Sequence, residues 1–350
     1  MPEAYFELPA SDQHEILSAA SQHTGRAASI LEKDIWLSLV LKSLFSAPDR
    51  KPMAFKGGTS LSKVYSVIER FSEDVDITID YRSLGCETPI SELAGLSRGQ
   101  RDRIGQSLRD NVRAYTHEII RPHLEAQIAA LACASDCAVE ISEDGEKMMV
   151  YYPTRAEDQD GYLREFVLIE FGGRNIVNPN EVHAIRPDIS EVYPGLAFPV
   201  AEDVVVLAAD RTFWEKVTLI HAACNKPFPP SLNRNARHWY DLAMLFQHEC
   251  GQRAMADFDL LEDVIALKSV FYNSATTNYE QCLAGELNLL PSGENLRLLH
   301  EDYRAMQEAG MLNGHILPLE AILVQLSQLQ TQINTEVIRR SGLPHPNDPA

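Results

Sequence analysis

This sequence predicts a two-lobed α/β (α+β) fold: a small mixed sheet flanked by helices, then a purely helical lobe. Three observations support it. Between Pro52 and Ile79 a short apolar run ends in a glycine pair, a helical segment follows, and a second run carries two carboxylates one residue apart. Three more short, partly alternating runs lie between Cys137 and Phe171. From about Val204 onward the apolar spacing is mainly helical. A chain of 350 residues, 45% of them hydrophobic, is large enough for two lobes and their cores. The expected division is residues 1–200 and 201–340, with a flexible tail over 341–350.

Taken in order, residues 11–24 and 28–46 read as helices. The second carries Ile30, Ile35, Leu37, Leu39, Val40 and Leu44 and should be buried over a broad face. Pro52 to Lys56 reads as a strand that runs into the Gly57-Gly58 turn. Thr59 or Ser60 can cap the next helix. Leu61, Val64, Tyr65 and Ile68 then fall at i, i+3, i+4 and i+7, so the spacing extends that helix to near Arg70. On the strand Val75 to Ile79, Asp74, Asp76 and Thr78 share one face and Val75, Ile77 and Ile79 the other. Residues 99–132 form a long helical pattern in which Pro122 interrupts the helix or ends a turn. Strands are expected at 137–141, 148–152 and 165–171, the first two joined by the turn Glu143-Asp144-Gly145-Glu146. Residues 155–162 read as a loop. The later helices are broken at Pro227-Phe228-Pro229-Pro230.

The chemistry lies in the first of these observations. Alone, Asp-x-Asp is usually a solvated strand edge and Gly-Gly a turn. In the order strand, Gly-Gly, helix, Asp-x-Asp they suit a metal–nucleotide complex. Free amides at the helix start can face phosphate. Two carboxylates on one strand face can hold Mg²⁺, which prefers one or two carboxylates plus phosphates and water. Nucleotidyl transfer is the leading reading.

The same residues resemble a known family. Lys56-Gly57-Gly58-Thr59-Ser60-Leu61 and Arg70-Phe71-Ser72-Glu73-Asp74-Val75-Asp76 are similar to the motif of the AbiEii/AbiGii nucleotidyltransferase toxins, within the polymerase-β-like nucleotidyltransferase superfamily. Leu31 to Trp36, Glu215-Lys216, Arg237 to Leu242, Leu267 to Tyr272 and Asp302-Tyr303 also look like family elements, so the resemblance spans roughly residues 28 to 310. It implies a polymerase-β-like lobe that transfers NMP from an NTP to an acceptor hydroxyl, with Mg²⁺ or Mn²⁺ as cofactor. Among relatives tRNA is the best-supported acceptor class. It also implies a toxin of a toxin–antitoxin or phage-defence system, with a cognate antitoxin as partner.

Carried onto this chain, Asp74 and Asp76 are metal ligands, and Lys56, Gly57, Gly58, Ser60 and Ser72 are nucleotide-binding. Lys56 can equally be exposed on an edge strand. Glu170 is the candidate third ligand or proton acceptor; relatives more often have Asp there, and pairing with Arg174 or Arg164 is the structural alternative. Lys216 can neutralise pyrophosphate as it leaves. Arg237 and Asp241 stand at i, i+4: either they form a helix-stabilising pair, or Asp241 orients Lys216 or Arg237 and Arg237 contacts triphosphate. Arg234 is a further phosphate candidate. Lys268 can bind acceptor or be solvated. Trp214 and Trp239 read as core. The NTP is expected between the lobes.

Composition bounds the partners. A formal net charge of −19 weighs against a broad nucleic-acid surface and leaves room for a local patch. An acidic body also suits a basic partner. The six cysteines show no zinc spacing and read as thiols of a reducing cytoplasm. No signal peptide and no membrane span is evident, so the expected location is cytoplasmic. Three rivals share the motif: nucleotidylation of a protein, transfer of the γ-phosphate, and a non-catalytic nucleotide-binding module.

Overall fold

The computed structural model describes residues 3–156, 164–229, 234–312, 314 and 316–342. The two-residue strand β1 (Glu3–Ala4) leads into α1 (Ala10–Thr24), which Gly25 ends in the left-handed region at φ 72°. Next comes α2 (Ala28–Phe45), apolar on almost every side, with Ile35, Trp36, Leu37, Val40, Leu41 and Leu44 all buried. Such a helix is stable only if surrounded, and it packs against the sheet described below.

Strand β2 (Met53–Lys56) runs directly into α3 (Gly57–Lys63). Here the sequence expectation fails: the helix stops at Lys63 instead of near Arg70. The apolar spacing through Ile68 is real, but Ser66 sits at φ 51°, a left-handed conformation no helix propagates. Strand β3 (Val75–Asp80) follows, then α4 (Ile90–Ala94) and α5 (Arg98–Tyr115). The expected break at Pro122 is absent. A π-turn over Thr116–Ile120 carries α5 into α6 (Arg121–Ala129), placing Pro122 in a first turn, where a missing N–H costs little.

The remaining strands are β4 (Ala138–Ile141), β5 (Lys147–Tyr151), β6 (Phe166–Asn175), β7 (Asn180–Ile185), β8 (Leu196–Ala197) and β9 (Ala201–Leu207). The first three were expected; β7, β8 and β9 were not. The run Val204-Val205-Val206 is strand, so helices begin only with α7 (Ala209–Cys224). After it come α8 (Ala236–Gln247), α9 (Glu249–Ala256), α10 (Phe258–Phe271), α11 (Gly293–Glu308) and α12 (Leu319–Ser341). The break at Pro227-Phe228-Pro229 falls between α7 and α8 as expected. Pro230, most of the expected loop at 155–162 (157–162) and the tail from 343 lie outside the described residues.

The sheet order is β4-β5-β6-β3-β2-β9-β7, with β3–β6 and β2–β9 parallel and the other pairs antiparallel. It is therefore a mixed sheet, and β2 and β3, which flank the glycine pair, lie near its middle. The separate pair β1–β8 is parallel.

The chain forms two compact units, each assembled from discontinuous pieces. The sheet unit comprises Met1–Val64, Ser72–Glu87 and Arg103–Leu207. The helical unit takes Tyr65–Phe71, Thr88–Asp102 and the chain from Ala208 onward. In the latter, Trp214 and Trp239 are core as expected, their indole N–H groups donating to the carbonyls of Asp257 at 3.2 Å and Leu289 at 3.1 Å. All six cysteines are free thiols. Among the described residues no helix is long and apolar enough to cross a membrane.

Candidate active site

In the sheet unit the site is built on one row of residues. Lys56 on β2 is the register partner of Asp76 on β3, Asp76 of Glu170 on β6, and Glu170 of Lys147 on β5. Register partners share a face, so four neighbouring strands present cation, carboxylate, carboxylate, cation side by side. Repulsion between the two central carboxylates is offset at the Glu170 end, where Lys147 Nζ lies 3.3 Å from the Glu170 carboxylate. Neither Arg174 nor Arg164, the structural alternatives from the sequence, takes that place.

Asp74 lies one residue before β3, and the Arg164 guanidinium holds it at 3.1 Å. The glycine pair abuts Asp76. Gly57 adopts φ +84°, and a Cβ there would fall 2.0 Å from Asp76 Oδ2. Glycine is thus required at this position twice over, by conformation and by space. The Thr59 hydroxyl donates to the Asp74 carbonyl at 2.6 Å and lies 3.0 Å from Ser72 Oγ, fastening α3 to the chain entering β3. Ser60 is fully buried and donates to the Gly57 carbonyl at 3.0 Å, shaping the turn from inside.

Among the described residues no three His, Cys, Asp or Glu side chains converge as a metal-binding group. Asp74 is turned toward Arg164 and Glu170 toward Lys147. The donor set nonetheless fits a hard divalent cation: carboxylates at adjacent register positions and oxygen-only chemistry, beside a backbone that only glycine allows so close.

Behind this row, α2 supplies two buried charges. Glu32 accepts the Arg155 N–H at 2.7 Å and the Ala156 N–H at 3.2 Å. Lys33 forms an ion pair with Glu73 and donates to the Arg164 carbonyl at 2.8 Å. At the other end of α3, Lys63 is paired with Asp34 and, at 3.0 Å, with Asp188.

The helical unit holds a second cluster. Arg70 grips Asp241 with two hydrogen bonds, Nε at 2.6 Å and an Nη at 2.8 Å, and Lys216 Nζ reaches Asp241 Oδ2 at 2.8 Å. All three are buried, Asp241 completely. Burial alone would raise the Asp241 carboxyl, but Arg70 and then Lys216 outweigh it and hold it well below the usual carboxylate range. Lys216 is lowered, chiefly by burial and then by the like charge of Arg70, which together outweigh the pull of Asp241. Burial, with Lys216 and Arg237, keeps the His238 imidazole neutral, and its Nδ1 has no hydrogen-bond partner among the described residues.

Asp241 thus gives its oxygens to Arg70 and Lys216; of the two sequence alternatives, the contact to Lys216 is present, and Arg70 takes the place of an i, i+4 partner. Of the other cations, the Arg234 N–H donates to Asp302 at 2.8 Å, and Lys268 Nζ donates to the Glu215 carbonyl at 2.7 Å. Sequence reasoning missed the roles of Arg70, Lys33 and Arg164. The signal was present for the first, since Arg70 opens the quoted motif.

A model of the family described as nucleotidyl transferase AbiEii toxin, type IV toxin–antitoxin system, matches residues 39–323. Comparison with curated proteins finds no match. Among solved structures, the chain is similar to MenT4, a nucleotidyltransferase toxin from Mycobacterium tuberculosis H37Rv. The identity is 17%, the TM-score is 0.48, and the likeness covers 91% of this chain and 89% of that one.

Proposed function

Because the chain belongs to the AbiEii family of nucleotidyltransferase toxins of type IV toxin–antitoxin systems, we propose that it transfers a nucleoside monophosphate from an NTP to a hydroxyl of tRNA. The observation that carries this reading is the Asp76–Glu170 pair, in register on adjacent strands beside a glycine nothing else can replace. Asp74, Asp76 and Glu170 would hold Mg²⁺ or Mn²⁺, which when bound polarises the α-phosphate and offsets charge on the departing oxygen.

The protein's own groups do the rest. Gly57 and Gly58 let the triphosphate approach the backbone, the shape of that turn being kept by Ser60 and Ser72, and Lys56 adds a cation beside Asp76. Lys216, held by Asp241, and Arg237 carry the positive charge that favours a polyanion. The acceptor oxygen bonds to the α-phosphorus, the bond to the β-phosphate oxygen breaks, pyrophosphate leaves, and Glu170 takes the hydroxyl proton. Such an enzyme calls for an antitoxin, and a net charge of −19 suits a basic one.

The test is incubation with Mg²⁺, each α-labelled NTP in turn and total tRNA or lysate, beside Asp76→Ala. Label entering tRNA and lost in the variant is the expected result and names the base. Label in a protein band would replace tRNA by a protein acceptor. In a parallel reaction with γ-labelled NTP, label entering the acceptor from the γ position and not from the α position would overturn nucleotidyl transfer.

A further inference from the structure

Arg164 has a split character. Its backbone is fixed inside the sheet unit: the carbonyl accepts from Lys33 at 2.8 Å, and the N–H donates to Glu73 at 3.3 Å. Lys33 and Glu73 are themselves a buried ion pair. Its side chain is 35% exposed, with the guanidinium over the Phe166 ring at 6.0 Å and on Asp74 Oδ1 at 3.1 Å. A cation whose root is clamped and whose side chain is partly open to solvent sits on a candidate metal ligand.

Charge arithmetic gives this contact a purpose. A bare Asp74 would share a strand face with the Asp76 carboxylate two residues on, and a neutralising cation lowers that repulsion. Once Asp74 binds a divalent ion, the same guanidinium meets a like charge and is driven off. It then stands next to the place where the nucleotide's phosphates must lie, and a planar, permanently charged fork suits a phosphate better than any other side chain.

Resting on the nucleotidyltransferase reading above, we propose that Arg164 is an exchange residue: it covers Asp74 in the metal-free protein, leaves when Asp74 takes up a divalent cation, and then binds a phosphate oxygen of the NTP. The role is non-covalent. It requires two effects of opposite sign from one substitution, which a merely structural arginine would not produce.

The experiment uses the full chain and two equilibrium readouts. Mn²⁺ affinity is measured by electron paramagnetic resonance titration without nucleotide. Affinity for each of the four NTPs is measured by calorimetry at saturating Mn²⁺. In Arg164→Gln, Mn²⁺ should bind about threefold tighter, the gain from removing a competing, partly exposed ion pair. The NTP should bind about tenfold weaker, the loss of one charge-assisted phosphate contact. Arg164→Lys should return Mn²⁺ affinity to the wild-type value and NTP affinity to within about threefold of it. Unchanged affinities, or weaker binding of both ligands, overturn the proposal. So does tighter Mn²⁺ with unchanged NTP, since Arg164 would then only shield Asp74. If the wild type binds neither Mn²⁺ nor any NTP, the underlying function fails and takes this role with it. Wild-type binding of both with an inert Arg164→Gln removes the exchange alone.

Discussion

Gly57 shows how one residue can fix a site. Its left-handed φ strains any side chain, and an added Cβ would meet the Asp76 carboxylate, which would have to move. Gly57→Ala should cost about 1–2 kcal/mol from the backbone alone and push the Asp76 carboxylate off its row. The expected outcome is a lower melting temperature together with loss of label transfer. A variant of wild-type activity would show that the Asp76 position is not critical. Asp241 makes a complementary case, since its carboxylate is shared by two buried cations, Arg70 and Lys216. Asp241→Ala removes the one carboxylate that both share and should destabilise by about 3–5 kcal/mol, read as a shift in denaturant midpoint. The pH dependence follows from the sign of its shift. The folded carboxyl lies below the ordinary value of about 3.9, so its stabilisation is complete above that pH and fades as pH falls toward the folded value. The stability gap between wild type and Asp241→Asn should therefore be constant from about pH 6 to 5 and shrink below about pH 4. A gap that widens on acidification would contradict the ion pairing.

At the scale of elements, what was legible in the sequence depended on range. Strands β2 and β3 and Asp76 are local patterns, and each lies where its spacing placed it; the glycine pair instead opens α3 itself, with Lys56 and not Thr59 or Ser60 at the N-cap, because glycine alone can take the left-handed first position. The end of α3 was not legible, because apolar periodicity continues through Ile68 while the backbone turns left-handed at Ser66. Ser66 is exposed and pays the cost of a non-glycine residue in that conformation. Ser66→Gly should raise stability by up to about 1 kcal/mol, seen as a rise of a few degrees in melting temperature; a fall would mean that the side chain itself holds the turn. Strand β9 was taken for the start of a helical region because a short apolar run has no period of its own to separate strand from buried helix. The Arg70–Asp241 pair was beyond reach for another reason. Its partners lie 171 residues apart, and nothing near either one names the other.

The whole molecule is acidic, yet its proposed acceptor is a polyanion. Contact with tRNA must then be confined to few phosphates, so log affinity against log salt should fall with a slope of about −3 or shallower. A slope near −10 would demand a broad basic surface that a net charge of −19 does not suggest. The division into units has its own consequence. The helical unit includes Tyr65–Phe71, so a fragment starting at residue 201 lacks Arg70 and carries Asp241 and Lys216 without it. Expressed alone, it should show no cooperative thermal unfolding by circular dichroism. A sharp transition would show that the segment is dispensable.

That discontinuity also sets a clock. On the ribosome, at about 5–20 residues per second, Asp241 emerges roughly 10–30 s after Arg70. For all that time the guanidinium has no carboxylate to be buried against. The helical unit cannot close around its charged centre until most of the chain has been made. A translation product broken off early is therefore missing the acid that gathers Arg70 and Lys216. In a toxin, this puts completion of the fold, and whatever harm it enables, at the end of synthesis.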